Sequence, residues 1–266
     1  MSNSPKIVIG TFQMPDIKSM ERIVQCAFDV GVHAFDTAPS YGTERMLGKA
    51  LKDVAGTKRD TFFCSDKIDA VQMYEGKIRE HVENRLQMMH LDYFDLMLIH
   101  WPLPQYIERT WKQMLELKSE GKIKSIGICN VRVRHLEHYA SIDIVPDYVQ
   151  IERHPLNTCK DEVEYCHNHN IKVMAYSPLG RMLPAIRNSK VLNDLASKYG
   201  KNVGQVILRW HLDTDVIPVF GTRKEQRLRE NTAINDFHLT QQEIDDIEQM
   251  NNNTKIFLES WGCPKF

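Results

Sequence analysis

Several features are missing from this 266-residue sequence, and each absence narrows what the protein can be. No apolar run approaches the roughly 20 residues that a membrane-spanning helix needs, and residues 1–6 are polar, unlike a signal peptide. The 34 Lys and Arg residues are scattered without a basic run, and the formal net charge is −1. We therefore expect a cytoplasmic protein that binds neither membranes nor nucleic acid.

Two cofactor-binding patterns are also missing. No GxGxxG turn occurs, although a doubly wound dinucleotide-binding sheet would be expected to carry one. The six cysteines are irregularly spaced and form no CxxC pair, so we expect reduced and mostly buried thiols. The run from Cys166 to His169 contains one Cys and two His, but it lies near the end of a helical pattern without a second spaced pair. We predict a helix end there and no metal site.

What the sequence does contain is a regular alternation of strand-length apolar runs and helical patterns. Between strands, residues such as Ile78, Val82, Leu86 and Met89 recur at steps of three and four, which is one face of a helix. Repeated βα units demand a parallel sheet with helices outside it, and eight strands favour a closed barrel over a doubly wound sheet. The predicted strands are 7–9, 34–36, 61–64, 94–99, 125–128, 148–151, 172–175 and 216–219.

We therefore predict the α/β class and a (β/α)8 TIM barrel. We expect residues 1–266 to form a single domain, with a C-terminal tail at about 251–266 that leaves the barrel near Asn251. Barrels of this kind commonly have this length.

Polar residues follow three successive predicted strands. Asp36, Lys67 and His100 lie about one βα unit apart, and Tyr41 follows Asp36 by five residues. Because catalytic residues of such barrels lie at the carboxyl ends of the strands, we expect all four side chains at one rim. A phenol titrates near 10, and a nearby ammonium lowers that pKa. The set suits a reaction that generates an alkoxide and protonates it, with His100 hydrogen bonding to a carbonyl oxygen.

Other readings of the same residues stay open. Each residue taken alone could be a structural ion pair or a satisfied core group. Lys67 could instead form a Schiff base, as in an aldolase, but this needs a neutral amine, and Asp36 favours the ammonium.

Five blocks of the sequence resemble the aldo-keto reductases. They are FDTAPSYGTE at 35–44, LGKAL at 47–51, LIHWP at 98–102, GKIKSIG at 121–127 and YSPLG at 176–180. The similarity runs from Gly10 to about Asn231. The resemblance implies a barrel enzyme that reversibly reduces aldehydes or ketones with NADPH, without a Rossmann fold. A weakly active NADPH-binding regulatory subunit is the alternative that some barrels of this family suggest.

The resemblance also implies residue roles. Tyr41 is the general acid in reduction, Lys67 and Asp36 lower its pKa, and His100 positions the carbonyl. Phe12 and Trp101 match aromatic positions that line the pocket for a small-molecule carbonyl substrate, together with Tyr41 and His100. Phe257 and Trp261 lie on a tail that could fold over the mouth. We expect the protein to act as a monomer.

The expected cofactor site has three parts. Asn130 and Gln150 are expected to bind the carboxamide, and Tyr176 is expected to stack on the nicotinamide ring. The turn at 177–180 would pass the pyrophosphate. Arg223 and Arg227 are candidates for binding the 2′-phosphate, which favours NADPH over NADH. Lys224 and Arg229 are expected to be solvated surface charges. The expected cofactor is NADPH or NADP+. The candidate residues that bind it are Gly10, Thr11, Asn130, Gln150, Tyr176, Ser177, Leu179, Gly221, Thr222, Arg223, Arg227, Glu230 and Asn231.

Two positions depart from the family pattern. Many members have a Lys-Ser pair directly after the Ile-Pro of the last strand, whereas this chain has Val219 and Phe220 and reaches Arg223 later. The residue before Asn130 is commonly Ser but is Cys129 here, and a thiol is a weaker hydrogen-bonding group.

Overall fold

The computed structural model describes residues 4–56 and 58–258. Eight parallel strands form a closed barrel in which each strand pairs with its sequence neighbours and β1 also pairs with β8. The predicted (β/α)8 fold is confirmed. The strands are β1 Val8–Gly10, β2 Ala34–Asp36, β3 Phe63–Ile68, β4 Phe94–Ile99, β5 Ile123–Cys129, β6 Tyr148–Glu152, β7 Lys172–Tyr176 and β8 Val216–Phe220.

Helices surround the barrel and cover its outer surface. Within the described residues they are α1 Ile17–Asp29, α2 Glu44–Ala55, α3 Ala70–Glu75, α4 Ile78–Met89, α5 Ile107–Ser119, α6 Val133–Ala140, α7 Lys160–Asn168, α8 Pro184–Arg187, α9 Lys190–Tyr199, α10 Val203–Asp213, α11 Glu225–Thr232 and α12 Gln241–Glu248. Short 3-10 turns lie at Pro39–Tyr41, Arg59–Thr61, Pro104–Tyr106 and Gly180–Met182. None of the helices in the described part of the chain is long and apolar enough to cross a bilayer.

The strands bury both of their faces, which is why they read as nearly continuous apolar runs. The larger apolar cluster lies between the strands and the helices. The smaller cluster fills the barrel interior and includes Val8, Leu96, Leu98, Met174 and Val219. The barrel is therefore a packed core rather than a pore, and chemistry is confined to its ends.

The sequence pattern misplaced one strand. We predicted 61–64, but the structure has β3 from Phe63 to Ile68. Thr61 lies in a 3-10 turn, where its hydroxyl donates to the carbonyl of Lys58. The guanidinium of Arg59 donates to the carbonyls of Phe62 and Tyr93, and these bonds hold the turn out of the sheet. The apolar run therefore begins before the strand does.

Other predicted features agree with the structure. The helix stripe from Ile78 to Met89 coincides with α4. Helix α7 ends at Asn168, so the run from Cys166 to His169 is a helix end, as predicted. Strand β5 is longer than the predicted 125–128 at both ends.

Gly48 lets α2 approach the end of α4 closely. A Cβ atom added at Gly48 would lie 2.4 Å from Cα and 2.6 Å from the carbonyl oxygen of Met89. Both are backbone atoms, so a side-chain rotation cannot relieve the clash. The glycine within the block at 47–51 is thus required by packing against the end of α4.

We predict that Gly48→Ala destabilises the fold by about 1–3 kcal/mol, because overpacking forces the backbones of α2 and α4 apart. Helix propensity alone would act the other way, since Ala is about 1 kcal/mol better than Gly inside a helix. The measurement is the free energy of unfolding in urea. Lys52→Ala on the exposed face of α2 is the control, with an expected change within about 0.5 kcal/mol. A stabilised Gly48→Ala variant would contradict the close approach.

Candidate active site

The carboxyl ends of three adjacent strands bring the predicted catalytic residues together. Asp36 is the last residue of β2, Lys67 is the second-last residue of β3, and His100 directly follows β4. Asp36 lies opposite Ser65 and Lys67 opposite Leu98 in the parallel register. Tyr41 ends the 3-10 turn Pro39–Tyr41 in the loop between β2 and α2. All four residues lie at the same mouth of the barrel.

Asp36 and Lys67 form a buried ion pair. Nζ of Lys67 lies 2.5 Å from Oδ2 of Asp36, and their side chains are 0% and 3% exposed. The ammonium also donates to the carbonyl of Thr37 at 2.9 Å. Oδ1 of Asp36 accepts hydrogen bonds from Oγ of Ser65 at 2.8 Å and from Nε2 of Gln150 at 3.2 Å. Both charges therefore have partners inside the barrel, as buried ions require.

Lys67 keeps its positive charge in this environment. Burial acts to lower the pKa of Lys67, but the charge and hydrogen bond of Asp36 together with the charges of Tyr41 and Cys129 outweigh it, and the net pKa is raised. A Schiff-base lysine must be available as a neutral amine. The ion pair therefore argues against the aldolase alternative.

Tyr41 lies against this ammonium. Nζ of Lys67 is 4.8 Å from the centroid of the Tyr41 ring. Burial raises the pKa of Tyr41 to about 12, Lys67 opposes this shift, and Asp36 adds to it. The resemblance implied a pKa below the ordinary value, and this expectation is wrong for the protein without ligand, because the loss of hydration outweighs the nearby charge. Tyr41 thus holds its proton at neutral pH.

His100 is oriented by a residue that the sequence analysis missed. Its ring lies edge-on to Tyr41 with 5.8 Å between the centroids. Its Nδ1 is hydrogen bonded to Oδ1 of Asp69, and its backbone carbonyl accepts from Nδ2 of Asn130 at 2.8 Å. A signal for Asp69 exists in the sequence: it lies two residues after Lys67. Its backbone continues β3 in an extended conformation, in which side chains two apart share a face.

Three candidates for the nicotinamide end lie together beside these residues. The hydroxyl of Tyr176 donates to Oδ1 of Asn130 at 2.7 Å, and Gln150 is tied to Asp36. Each amide nitrogen has two N–H groups and makes one hydrogen bond within the described residues. Each therefore has an N–H left for a carboxamide. The thiol of Cys129 donates to Oε1 of Gln150 over 4.0 Å, so its contact is long.

The turn after β7 has an unusual backbone. Ser177, Arg181 and Met182 have positive φ angles of 47°, 48° and 51°, although none is glycine. Gly180 has a φ of 53° and packs so closely that an added Cβ would lie 2.3 Å from Ile186. Leu179 follows Ser177 in this turn and is partly buried. Non-glycine residues held in the left-handed region cluster at ligand sites, which is consistent with the predicted pyrophosphate turn.

Gly10 and Gly221 meet where β1 and β8 close the barrel. An added Cβ at Gly221 would lie 2.8 Å from the carbonyl oxygen of Gly10. The hydroxyl of Thr11 is buried and donates to the carbonyl of Asp36, with Oγ1 of Thr43 at 2.8 Å. The Thr11 side chain therefore ties the segment after β1 to the end of β2 and to Thr43. Oγ1 of Thr222 accepts from the backbone N–H of Lys224 at 3.1 Å.

The two arginines proposed for a phosphate are exposed at the start of α11. Among the described residues, neither Arg223 nor Arg227 makes a hydrogen bond or an ion pair. Arg229 differs, because its Nη2 lies 3.3 Å from Oδ2 of Asp29 on the surface. Glu230 accepts a hydrogen bond from Gln226, and Asn231 follows it in α11. Two guanidinium groups are thus available for an anion at this end.

Aromatic side chains border the mouth. Phe12 is 48% exposed, and its ring lies 5.1 Å from that of Tyr41. The ring of Trp101 lies 6.5 Å from that of His100. Phe257 contacts Tyr176 edge-on, with 5.6 Å between the centroids. These rings would form apolar walls around a small substrate, while Trp261 lies outside the described residues.

The tail is held to the mouth by Glu152, a second residue that the sequence analysis did not identify. Its carboxylate accepts the backbone N–H groups of Ile256 and Phe257 at 2.6 and 2.8 Å. Nε2 of His154 is 3.1 Å from the same carboxylate. A buried acid at the end of β6 was the available signal, but its partner 104 residues away cannot be read from the sequence.

Comparisons with known proteins agree with this arrangement. A family model described as the aldo/keto reductase family matches residues 6–252. Methylglyoxal reductase DkgA of Escherichia coli is 34% identical over 256 residues, which cover 95% of this chain and 91% of that protein. Glyoxal reductase of Bacillus subtilis is 35% identical over 254 residues, which cover 95% of this chain and 91% of that protein.

A solved structure extends the comparison to three dimensions. The crystal structure of a Bombyx mori aldo-keto reductase in complex with NADP superimposes with a TM-score of 0.88 at 29% identity, covering 97% of this chain and 93% of that chain. The protein is thus a (β/α)8 barrel oxidoreductase. The chain belongs to the aldo/keto reductase family, which confirms the resemblance found in the sequence.

We predict that Lys67→Met lowers the free energy of unfolding by about 3–5 kcal/mol, because it leaves the Asp36 carboxylate buried without its counter-ion. The double variant Asp36→Asn/Lys67→Met should recover most of this loss, since it removes both charges. The free energies of unfolding of Asp36→Asn, Lys67→Met and the double variant in urea give the interaction energy between the two side chains.

A matched control is the exposed pair of Lys190 and Asp194, whose charged atoms are also 2.5 Å apart but whose side chains are 88% and 62% exposed. Lys190→Met should cost at most about 1 kcal/mol, because solvent screens that pair. Equal losses of unfolding free energy in Lys67→Met and Lys190→Met would show that burial does not strengthen the dependence of Asp36 on its counter-ion.

Proposed function

We propose that this protein reversibly reduces small aldehydes and ketones to alcohols with NADPH, using Tyr41 as the proton donor. The observation that carries the proposal is the buried ammonium of Lys67, held by Asp36 and lying 4.8 Å from the Tyr41 ring centroid. The names of the relatives, methylglyoxal reductase and glyoxal reductase, support a carbonyl substrate. The NADP complex of the Bombyx mori protein supports the cofactor.

The chain's residues would move one proton during the reaction. NADPH, when bound, supplies a hydride to the carbonyl carbon. The developing alkoxide takes the proton from the Tyr41 hydroxyl. A C–H bond and an O–H bond would form on the substrate as its carbonyl π bond opens, while a C–H bond of the reduced nicotinamide and the O–H bond of the phenol break, which leaves NADP+ and a phenolate. The Lys67 ammonium then lies beside the resulting phenolate and stabilises its charge. Asp36 keeps that ammonium in place.

A pKa of about 12 for Tyr41 is compatible with this role. An alkoxide is a stronger base than a phenolate, so proton transfer from Tyr41 to the reduced substrate runs downhill. A donor that stays protonated at neutral pH is available for transfer, and a pKa nearer the working pH would make the transfer faster. Reduction leaves Tyr41 as a buried phenolate, and the Lys67 ammonium offsets part of the cost of that charge. In the reverse reaction this ionised form accepts the proton of the alcohol.

The residues around the mouth fit an extended NADPH molecule. Asn130 and Gln150 each have an N–H group left for the carboxamide, and Tyr176 offers an aromatic face next to them. The left-handed turn that begins at Ser177 would run past the pyrophosphate. Arg223 and Arg227 are exposed and have no protein partner among the described residues, so they could bind the 2′-phosphate.

We predict that Tyr41→Phe lowers kcat for carbonyl reduction by about 10²–10⁴-fold, because the proton donor is lost. Affinity for NADPH, followed by quenching of protein fluorescence, should change little. Turnover is measured at 340 nm with methylglyoxal as the trial substrate. Tyr74→Phe is the control, because Tyr74 is 69% exposed and lies outside the site. Native turnover in Tyr41→Phe would show that Tyr41 is not the proton donor.

The same assay decides between an enzyme and a regulatory subunit. If the native protein binds NADPH tightly but oxidises it with no member of an aldehyde and ketone panel, the regulatory alternative is favoured and the proposed function fails.

We predict that Arg223→Ala and Arg227→Ala each raise the KM for NADPH by about 10–100-fold, the equivalent of one charge-assisted hydrogen bond. The KM for NADH should stay nearly constant, since NADH has no 2′-phosphate. Arg229→Ala is the matched control, because Arg229 is paired with Asp29. An equal rise for both cofactors would contradict the phosphate assignment.

A further inference from the structure

The carboxylate of Asp69 joins two loops of the site. Its Oδ1 is hydrogen bonded to Nδ1 of His100, which follows β4. Its Oδ2 accepts the backbone N–H of Ser40 at 2.9 Å, next to Tyr41. The side chains of Asp69 and His100 are each 16% exposed. Asp69 therefore fixes the imidazole relative to the segment that carries the proposed proton donor.

The charge of Asp69 determines which nitrogen of His100 carries a proton. Burial acts to raise the pKa of Asp69, but the hydrogen bonds and charge of His100 and the N–H of Ser40 outweigh it and lower the pKa. A carboxylate can only accept hydrogen bonds, so Nδ1 of His100 must donate. The Nε2 atom of His100 makes no hydrogen bond to any described residue, so it is the nitrogen available to a ligand.

This arrangement has a consequence for substrate binding. In a neutral imidazole, one nitrogen donates and the other accepts. With the proton held at Nδ1, a neutral His100 presents a bare acceptor at Nε2 and cannot hydrogen bond to a carbonyl oxygen. Only the imidazolium, with protons on both nitrogens, donates at Nε2. It also places a positive charge near the oxygen that becomes an alkoxide.

We propose that Asp69 is a positioning residue that makes the imidazolium form of His100 the form that binds the substrate's carbonyl oxygen. The proposal rests on the proposed carbonyl reduction for the ligand at Nε2 and for the kinetic consequences. The tautomer itself is a property of the protein without substrate and follows from the hydrogen bond between Asp69 and His100.

The other titratable groups around His100 and Asp69 do not supply this charge. Tyr41 faces the ring from the loop after β2, with its pKa raised to about 12 by burial. Burial also raises the pKa of the Cys129 thiol on β5. Glu44 on α2 is paired with Arg85, with Oε1 and Nε 2.9 Å apart. The charges of Lys67 on β3 and Asp36 on β2 are paired with each other.

The first test is spectroscopic and needs no substrate. The 15N chemical shifts of His100 are recorded in histidine-labelled protein between pH 6 and 9, with the His100 signals assigned by their loss in His100→Gln. In its neutral form, the native His100 ring should show a protonated Nδ1 and a bare Nε2. Asp69→Asn should shift the neutral ring toward a protonated Nε2, because an amide can donate to Nδ1. A neutral native ring protonated at Nε2 would overturn the proposal.

The second test is the pH profile of kcat/KM for methylglyoxal with saturating NADPH. In the native protein, kcat/KM should fall at least 10-fold toward alkaline pH, because a neutral ring with its proton at Nδ1 has no N–H for the carbonyl oxygen. In Asp69→Asn, kcat/KM should be about 10-fold lower at pH 6 but nearly flat to pH 9. An unchanged profile in Asp69→Asn would overturn the proposal. If no variant reduces a carbonyl but the 15N shifts are as expected, the proposed function fails, and with it the role of the imidazolium in substrate binding, while the His100 tautomer set by Asp69 stands.

A control separates this role from the capping of α3. Asp69 is also the N-cap residue of α3, where Oε1 of Gln72 accepts its backbone N–H at 2.8 Å. Asn is an equally good N-cap residue, so Asp69→Asn should keep the helix. Gln72→Ala removes the capping bond and leaves the carboxylate, so it should keep the native 15N shifts and pH profile. If Gln72→Ala reproduced the effects of Asp69→Asn, the cause would be helix capping and the proposal would be overturned.

Discussion

The buried ion pair between Asp36 and Lys67 is the constraint on which the mouth of the barrel depends. Removing either charge from water is costly, and the cost is offset only while both partners and their hydrogen bonds are present. Asp36 obtains its remaining hydrogen bonds from Ser65, which lies on β3 with Lys67, and from Gln150 on β6. The closed barrel is therefore what supplies these partners, and the ion pair in turn places a fixed positive charge beside Tyr41.

Strand β3 distributes charge to both sides of the barrel wall. Successive side chains of a strand point to opposite faces. Ser65 and Lys67 point inward and contact Asp36, whereas Asp66 points outward, with Oδ2 3.7 Å from Nε of Arg85. Asp69 follows Lys67 by two residues and returns to the side of the mouth, where it meets His100. One strand and the residue after it thus supply a cation, its neighbouring hydroxyl and the anion that orients the imidazole.

Burial sets the acid–base character of Tyr41 more strongly than the nearest charge does. Tyr41 lies beside an ammonium, yet the loss of hydration raises its pKa to about 12. Pairwise arguments from residue types predicted the opposite direction because they count charges but not the solvent that folding removes. Lys67 is equally buried but stays charged, because the Asp36 carboxylate and the other neighbouring groups together outweigh desolvation.

The sequence by itself determined the number and order of the strands, since apolar runs and helical stripes depend on local periodicity. It also identified Asp36, Lys67 and His100 as residues of one rim, because parallel strands end at the same side of a barrel. Only the tertiary structure decided where β3 begins, since hydrogen bonds from Arg59 hold the preceding turn out of the sheet. It alone decided that Asp69 meets His100 and that Glu152 holds the chain at Phe257. Such contacts join residues far apart in the chain, and their strength depends on burial, which no local pattern records.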